Sequence, residues 1–318
     1  MTAKPIYVEL DIQTDMETLW KATQTPELHQ QWDLRFTEIA YLPRSGDREP
    51  QRFHYRTRIG FGMNIAGTGE TKTKMNLLTG ERMSGLKFGS PQRISLIRSG
   101  SGYWKYSPKG GGVTFATRYT YDTRFGAAGR WFDRFLFRPL FGYATAWSFD
   151  MLRIWLEKGI PPSVSIQRAL MHYVSAGLLA LLWVYQGLVP KLLFPGGGEM
   201  AILQAAGWFP GGEKPVLALL GAGEIGIGLL AAAAHRQAGV YILQAALLLM
   251  LPAIALARSP QLLQAPFNPL TLSGAMAGLC LLAFWSRREL PQAGRCLRKP
   301  RFNHKEGELK WHPYTSGR

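Results

Sequence analysis

Cysteine and histidine are scarce: two of one and six of the other in 318 residues. Cys280 and Cys296 cannot frame a disulfide-stapled domain, and they are too few and too separate for an iron–sulfur cluster. Nowhere do His, Cys and carboxylates cluster with metal-ligand spacing, so no metal is expected. His29 and His54 stand alone, and no Ser/His/Asp or Cys/His set suggests a nucleophile. The basic-then-apolar pattern of a secretory leader is missing, so the N-terminal part is expected to remain in the cytoplasm. Acidic residues, 21 against 37 basic ones, leave a formal charge of +16. Charge of either sign almost vanishes from residues 169–286, where Lys191, Glu199, Glu213, Lys214, Glu224, Arg236 and Arg258 stand alone.

That poverty of charge coincides with four apolar blocks, Ala169–Val189, Pro215–Ala234, Ala238–Ala257 and Pro269–Ser286. At ~1.5 Å per residue each reaches roughly 27–31 Å, close to the ~30 Å hydrocarbon thickness of a bilayer. Long helices buried in a soluble domain keep a polar stripe toward water, and these have almost none. A mean hydropathy of -0.06 hides the blocks, because a charged half and an apolar half average out. Basic residues precede the first block (Arg153, Lys158, Arg168), follow the second (Arg236) and crowd behind the fourth, from Arg287 to Arg301. This bias predicts an inner-membrane protein with four crossings and both termini cytoplasmic. Residues 1–165 carry 23 basic and 15 acidic groups, and residues 287–318 carry 9 and 3. Because the densest positive run directly follows a span, the excess is assigned to anionic headgroups rather than nucleic acid. The tail of residues 287–318 reads as basic, cytoplasmic and, beyond Leu290, poorly ordered.

Residues 1–160 read as a water-soluble α+β domain. Lys4–Ile12 alternate like a strand, and Thr14-Asp15-Met16-Glu17 opens a helix with a carboxylate three residues past its cap. Pro26 opens a second short helix ending near Trp32-Asp33. Seven period-two segments follow: 36–41, 53–59, 63–71, 82–88, 93–98, 102–107 and 113–121, with turn residues at Ser45-Gly46-Asp47, Leu78-Thr79-Gly80 and 108–112. From Gly126 to Glu157 the period is helical, with a bend or break expected at Pro139. The opening strand, Glu17-x-x-Trp20, Pro26-Glu27 and Trp32-Asp33 resemble the START-like superfamily of polyketide cyclases and lipid-transfer domains. That resemblance implies a helix-grip fold, with a curved sheet around the last helix and an apolar cavity between them. Strand parity puts Tyr55, Trp104, Tyr106, Phe115, Tyr119 and Tyr121 on the faces where they either fill a core or line a pocket for a flat or lipid-like molecule. The run Arg130-Trp131-Phe132-Asp133-Arg134-Phe135-Leu136 has the composition of a membrane-surface segment, although it could equally pack on the sheet.

Within the apolar part, small residues predict helix-packing rows at Ala218/Ala222/Gly226, at Gly228/Ala232 and at Gly274/Gly278. Glu224 lies mid-span, where an ionised carboxylate is costly unless paired; it should face the bundle interior near Gln244, Tyr185 or Gln186, as a hydrogen-bonding acid or as a proton- or ligand-handling one. The runs Tyr185-Gln186-Gly187-Leu188-Val189-Pro190-Lys191-Leu192-Leu193-Phe194 and Gly221-Ala222-Gly223-Glu224, with Glu199 between them, resemble the DoxX-like family of four-span bacterial membrane proteins. The resemblance covers residues 168–286, implies an all-α four-helix bundle, and sets Lys191, Glu199 and Glu224 at recurrent polar positions, with a Lys191–Glu199 pair near one end. Relatives in the wider group are linked to quinone reduction or oxidative-stress defence, so a redox role here would need a bound quinone or a membrane partner subunit. Three readings stay open: a membrane-anchored binding protein for a hydrophobic small molecule or lipid, a quinone-linked oxidoreductase subunit in which Glu224 handles protons, and a non-catalytic membrane adaptor.

Overall fold

A computed structural model describes residues 4–300, apart from residues 45, 47, 48, 61, 197, 208, 259, 261–263 and 265–267. The chain divides into two units: Met1–Pro162 together with Pro291–Arg318, and Ser163–Leu290. Most of the turn expected at 45–47 and the tail from 301 onward lie outside the described residues.

The first unit begins with β1 (Ile6–Ile12), α1 (Met16–Gln24) and α2 (Pro26–Trp32). Strands β2 (Glu38–Tyr41), β3 (Gln51–Gly60), β4 (Met63–Met75), β5 (Arg82–Gly89), β6 (Ile97–Lys109) and β7 (Gly112–Thr123) follow. All seven form one antiparallel sheet in the order β1-β7-β6-β5-β4-β3-β2. Helix α3 (Gly126–Phe132), a π-helical turn (Asp133–Phe137) and α4 (Arg138–Lys158) complete it. A strand, two helices, a meander and a final long helix packed on the sheet make the helix-grip arrangement. Phe115 of β7 lies between Phe149 of α4, stacked at 4.4 Å, and Tyr106 of β6, stacked at 4.9 Å. Trp32 packs edge-on against both Phe115 and Phe149.

Local chemistry explains where the observed elements depart from the expected ones. The cap of α1 is Asp15, not Thr14: its carboxylate accepts from the Thr18 backbone N–H at 2.8 Å and the Thr18 hydroxyl at 2.6 Å. The segments expected at 93–98 and 102–107 are one strand, β6, which starts only at Ile97. Its glycines are there for close approach and make no turn. A Cβ on Gly100 would fall 2.4 Å from the Phe88 ring, and one on Gly102 would fall 2.4 Å from the Arg118 carbonyl. Pro139 does not break the last helix, because it sits in the first turn of α4 just after the widened π turn, where its missing N–H is tolerated.

The segment after the last apolar helix is not loose, contrary to the expectation from its polarity. Leu297 and Glu9 exchange two backbone hydrogen bonds of 2.9 Å, adding a bridge to the free edge of β1. Upstream, the Gln292 N–H donates to Asp150 at 2.7 Å and the Cys296 thiol to the Ala146 carbonyl at 3.2 Å. Burial pushes that thiol up to about 12. Residues 291–298 thus form a strap along α4.

The second unit holds α5 (Pro162–Gln186), prolonged by a π-helical turn (Gly187–Leu193), then α6 (Glu199–Ala206), α7 (Glu213–Ala233), α8 (Ala238–Arg258) and α9 (Pro269–Ser286). Pro162–Leu193 and Glu213–Ala233 are long and apolar enough to cross a membrane; Ala238–Ile254 and Leu270–Ser286 are shorter apolar stretches. Each long helix buries one stripe, such as Leu217, Gly221, Glu224, Gly228 and Ala231 on α7. The opposite faces carry exposed Leu181, Leu219, Ile242, Leu249 and Trp285. The interior holds Leu179, Trp183, Tyr241, Leu248 and Met276 together with polar His172, Lys191, Glu224 and Gln244, while large aliphatic side chains cover the outside, where a water-soluble bundle would carry charge.

Candidate functional site

The π-helical turn that ends α5 contains Pro190, which cannot donate to the preceding turn. Toward its end the buried positions of this helix run Ala176, Leu179, Trp183, Gly187 and Lys191, so the widened turn keeps Lys191 on the inner face. Facing it, α7 offers Gly221 and, one turn on, Glu224. The two backbones nearly touch here: a Cβ on Gly187 would lie 2.3 Å from the Gly221 carbonyl oxygen, and one on Gly221 would lie 2.7 Å from that of Gly187. About two turns along α7, a Cβ on Gly228 would lie 2.8 Å from the Ala180 carbonyl. The packing row is therefore Gly221, Gly228 and Ala231. Ala218, Ala222 and Gly226 are exposed, as are Gly274 and Gly278, since a small residue marks a packing face only if rotation brings it to a neighbour.

This approach brings Lys191 Nζ within 3.0 Å of Glu224 Oε2, and 3.1 Å from Oε1 of Glu199 at the start of α6. The lysine side chain is 7% exposed and that of Glu224 11%, with Glu199 more open at 36%. One ammonium held between two carboxylates inside an apolar bundle is a strongly coupled cluster, since each ion alone would cost several kcal/mol to bury. It presents both donors and acceptors to anything that reaches it. The other residues proposed for this site lie apart. Gln244 is fully buried but accepts from the Trp183 indole at 2.9 Å and donates to the Val240 carbonyl at 3.2 Å. Tyr185 is exposed, and Gln186 donates to the Met276 sulfur at 3.6 Å.

A second polar cluster in this unit was missed. His172, fully buried on α5, has Nδ1 3.0 Å from the Ala283 carbonyl and Nε2 3.0 Å from Nδ1 of His235. A carbonyl only accepts, so His172 carries its proton on Nδ1 and takes the one offered by His235 Nδ1. Burial and the Arg236 charge hold His235 below its ordinary value. The two rings are 63 residues apart, with no sequence signal linking them.

In the first unit all six proposed cavity residues are buried. Tyr106 is held by Thr23 at 2.8 Å and Gln24 at 2.9 Å, Tyr119 by Thr145 at 2.8 Å, and Tyr121 donates to Asp133 at 2.6 Å. Tyr55 meets Phe36 edge-on at 5.5 Å, and Trp104 does the same to Phe115 at 5.6 Å. Their partners are one another and the helices, as in a packed core. Of the six, Tyr121 also borders an open depression of about 990 Å³ with Phe53, Phe88, Arg52, Lys87 and Arg118. His29 is not isolated: its Nε2 lies 3.0 Å from Asp33, which takes a fork of 2.8 and 2.6 Å from Arg35. Burial would raise the Asp33 carboxyl, but Arg35 and His29 override it and hold it well below the usual carboxylate range. Among the described residues no group of three or more His, Cys, Asp or Glu could hold a metal.

These features define a membrane protein in which an α+β domain of helix-grip arrangement precedes a domain of apolar helices. Residues 180–281 match the DoxX-like family. Over 188 residues, 59% of this chain and 70% of the other, the sequence is 51% identical to the uncharacterized membrane protein YndG of Bacillus subtilis (strain 168), and the chain belongs to that protein's family. Solved structures similar to the chain include a STAR-related lipid transfer protein from Xanthomonas axonopodis, with 12% identity, a TM-score of 0.36, and coverage of 44% of this chain and 80% of that one. Another is the di-domain ARO/CYC StfQ from the steffimycin biosynthetic pathway, at 14% identity and a TM-score of 0.36, covering 49% and 52%.

Proposed function

We propose that this protein crosses the cytoplasmic membrane four times with both termini inside, and binds an apolar molecule with a polar head at Lys191, Glu199 and Glu224. The observation that carries the reading is the buried lysine bridged to two carboxylates, at 3.0 and 3.1 Å, within helices whose outer faces are aliphatic. A bundle gains little from such a cluster, because well-packed apolar residues of similar volume are as good or better for stability. What the cluster adds is recognition. The ammonium donates to a carbonyl or phosphate oxygen and the carboxylates accept from a hydroxyl, so the head group of a lipid or a quinone fits this donor set. The interior aromatics of the START-like domain are already paired with each other, which favours the bundle over the sheet interior as the binding place.

Mass spectrometry of organic extracts from the purified full chain tests this. Wild type should release a quinone or lipid in near-stoichiometric amount, and Glu224→Gln, which keeps shape and removes charge, should release much less while staying folded. A blank extract from the wild type would overturn the reading.

A further inference from the structure

We infer that the outer face of α3, the π turn and the start of α4 docks onto an anionic bilayer surface. This inference is independent of the ligand site in the bundle. Trp131 is 65% exposed, Phe135 61% and Leu140 58%; Phe132, Leu136 and Tyr143 are exposed beside them. At helical spacing these six positions fall on one side. The other side is already satisfied: Gly129 and Asp133 are buried, and Phe137 and Phe141 pack on Tyr121 at 6.1 Å. The exposed side is thus surplus to folding, and a contiguous aromatic face of this kind marks an interaction surface.

Charge selects the occupant. Arg130 and Arg134 are exposed within the patch, and the Arg134 guanidinium lies 5.5 Å from the Phe135 ring. Asp133, the single acid between residues 124 and 143, is turned inward and bound by Tyr121 at 2.6 Å and Arg138 at 2.8 Å. The strap adds more positive charge at the same place: Arg298 reaches the Pro139 carbonyl at 3.5 Å, and both it and Lys299 are exposed. An aromatic face that carries Arg130 and Arg134 and has Arg298 beside it matches a headgroup layer, with rings at the acyl boundary and guanidinium groups on phosphates. The same chain carries apolar helices long enough to cross a membrane, which ties it to a bilayer.

The test uses the full chain in nanodiscs, with a nitroxide attached at Phe135→Cys and, as a solvent reference, at Leu78→Cys in the fully exposed turn after β4. Cys280 and Cys296 are buried and remain unlabelled. Collision with oxygen against a water-soluble nickel chelate reports depth. In an equimolar phosphatidylcholine–phosphatidylglycerol bilayer, position 135 should favour oxygen while position 78 stays water-like. Adding Arg130→Gln and Arg134→Gln should lower the docked-to-free ratio about thirtyfold, the equivalent of ~1 kcal/mol per arginine. A label at 135 as open to nickel as that at 78 overturns the inference. So does one shielded from both reagents whatever the lipid, which would mean that a protein covers the face.

Discussion

Leu297 and Glu9 bridge each other with two backbone hydrogen bonds of 2.9 Å, so the chain that leaves the first unit at Pro162 comes back to it at Pro291. If residues 163–290 cross a membrane, they cross it an even number of times. Two of the helices are long enough alone, and the apolar stretches of α8 and α9 can make a second pair. With single cysteines and a membrane-impermeant maleimide, positions near the N-terminus, near Arg236 and near Lys299 should react from one side. Positions near Glu213 and Asn268 should react from the other. Termini on opposite faces would refute the bridge as well as the topology.

Glu224 depends on Lys191, and the dependence can be measured. Lys191→Met leaves a carboxylate buried without its ammonium, which typically costs about 3–5 kcal/mol. Adding Glu224→Gln removes the stranded charge. The double variant should therefore unfold in detergent at a higher temperature than Lys191→Met alone. Additive losses in this double-mutant cycle would show that the two side chains do not interact.

The contact between Gly187 and Gly221 leaves no room for a methyl group, whereas Gly274 and Gly278 have nothing within 4 Å of a built Cβ. Gly221→Ala should overpack the α5–α7 interface at a cost of about 1–3 kcal/mol and disturb the neighbouring ion cluster. Gly274→Ala and Gly278→Ala should be neutral or mildly stabilising, since alanine is the better helix former. Thermal unfolding of the three variants decides the matter; equal effects would contradict the packing row.

How much of this was legible in the chain depends on how far a signal reaches. Period two and period 3.6 are local, so the element order of the α+β domain and the apolar helices could be read directly, while the helix grip itself was implied by a resemblance. Parity placed Tyr106, Phe115 and Tyr119 on one face. Whether that face encloses a cavity or a filled core is decided by Trp32 and Phe149, which arrive from distant helices. Lys191, Glu199 and Glu224 were visible as charges in an apolar setting. Their meeting is fixed by a π turn and a glycine contact, neither of which has a periodicity to read. The strap was misjudged because low apolarity argues for disorder, yet its order comes from backbone bonds to an open strand edge, which any sequence can make.

Asp33 supplies a pH-dependent component of stability whose sign follows from its partners. The carboxyl is wholly buried, forked by Arg35 and touched by His29, and is held below its ordinary value. In the unfolded chain it titrates near 3.9. A group lowered on folding contributes fully above its unfolded value, and the contribution drains away as pH falls from there through the folded value. Asp33→Asn leaves the Arg35 guanidinium buried without its counter-ion, so at neutral pH it should cost about 3–5 kcal/mol. Below about pH 4 the gap between wild type and variant should narrow steadily, because the unfolded wild-type chain then takes up a proton that the folded Asp33 still refuses. Near-UV circular dichroism, which senses Trp32 beside this cluster, can follow the melting of the first unit at stepwise lower pH. A gap that stays constant down to strongly acidic pH would show that the Asp33–Arg35 pair adds nothing to the fold.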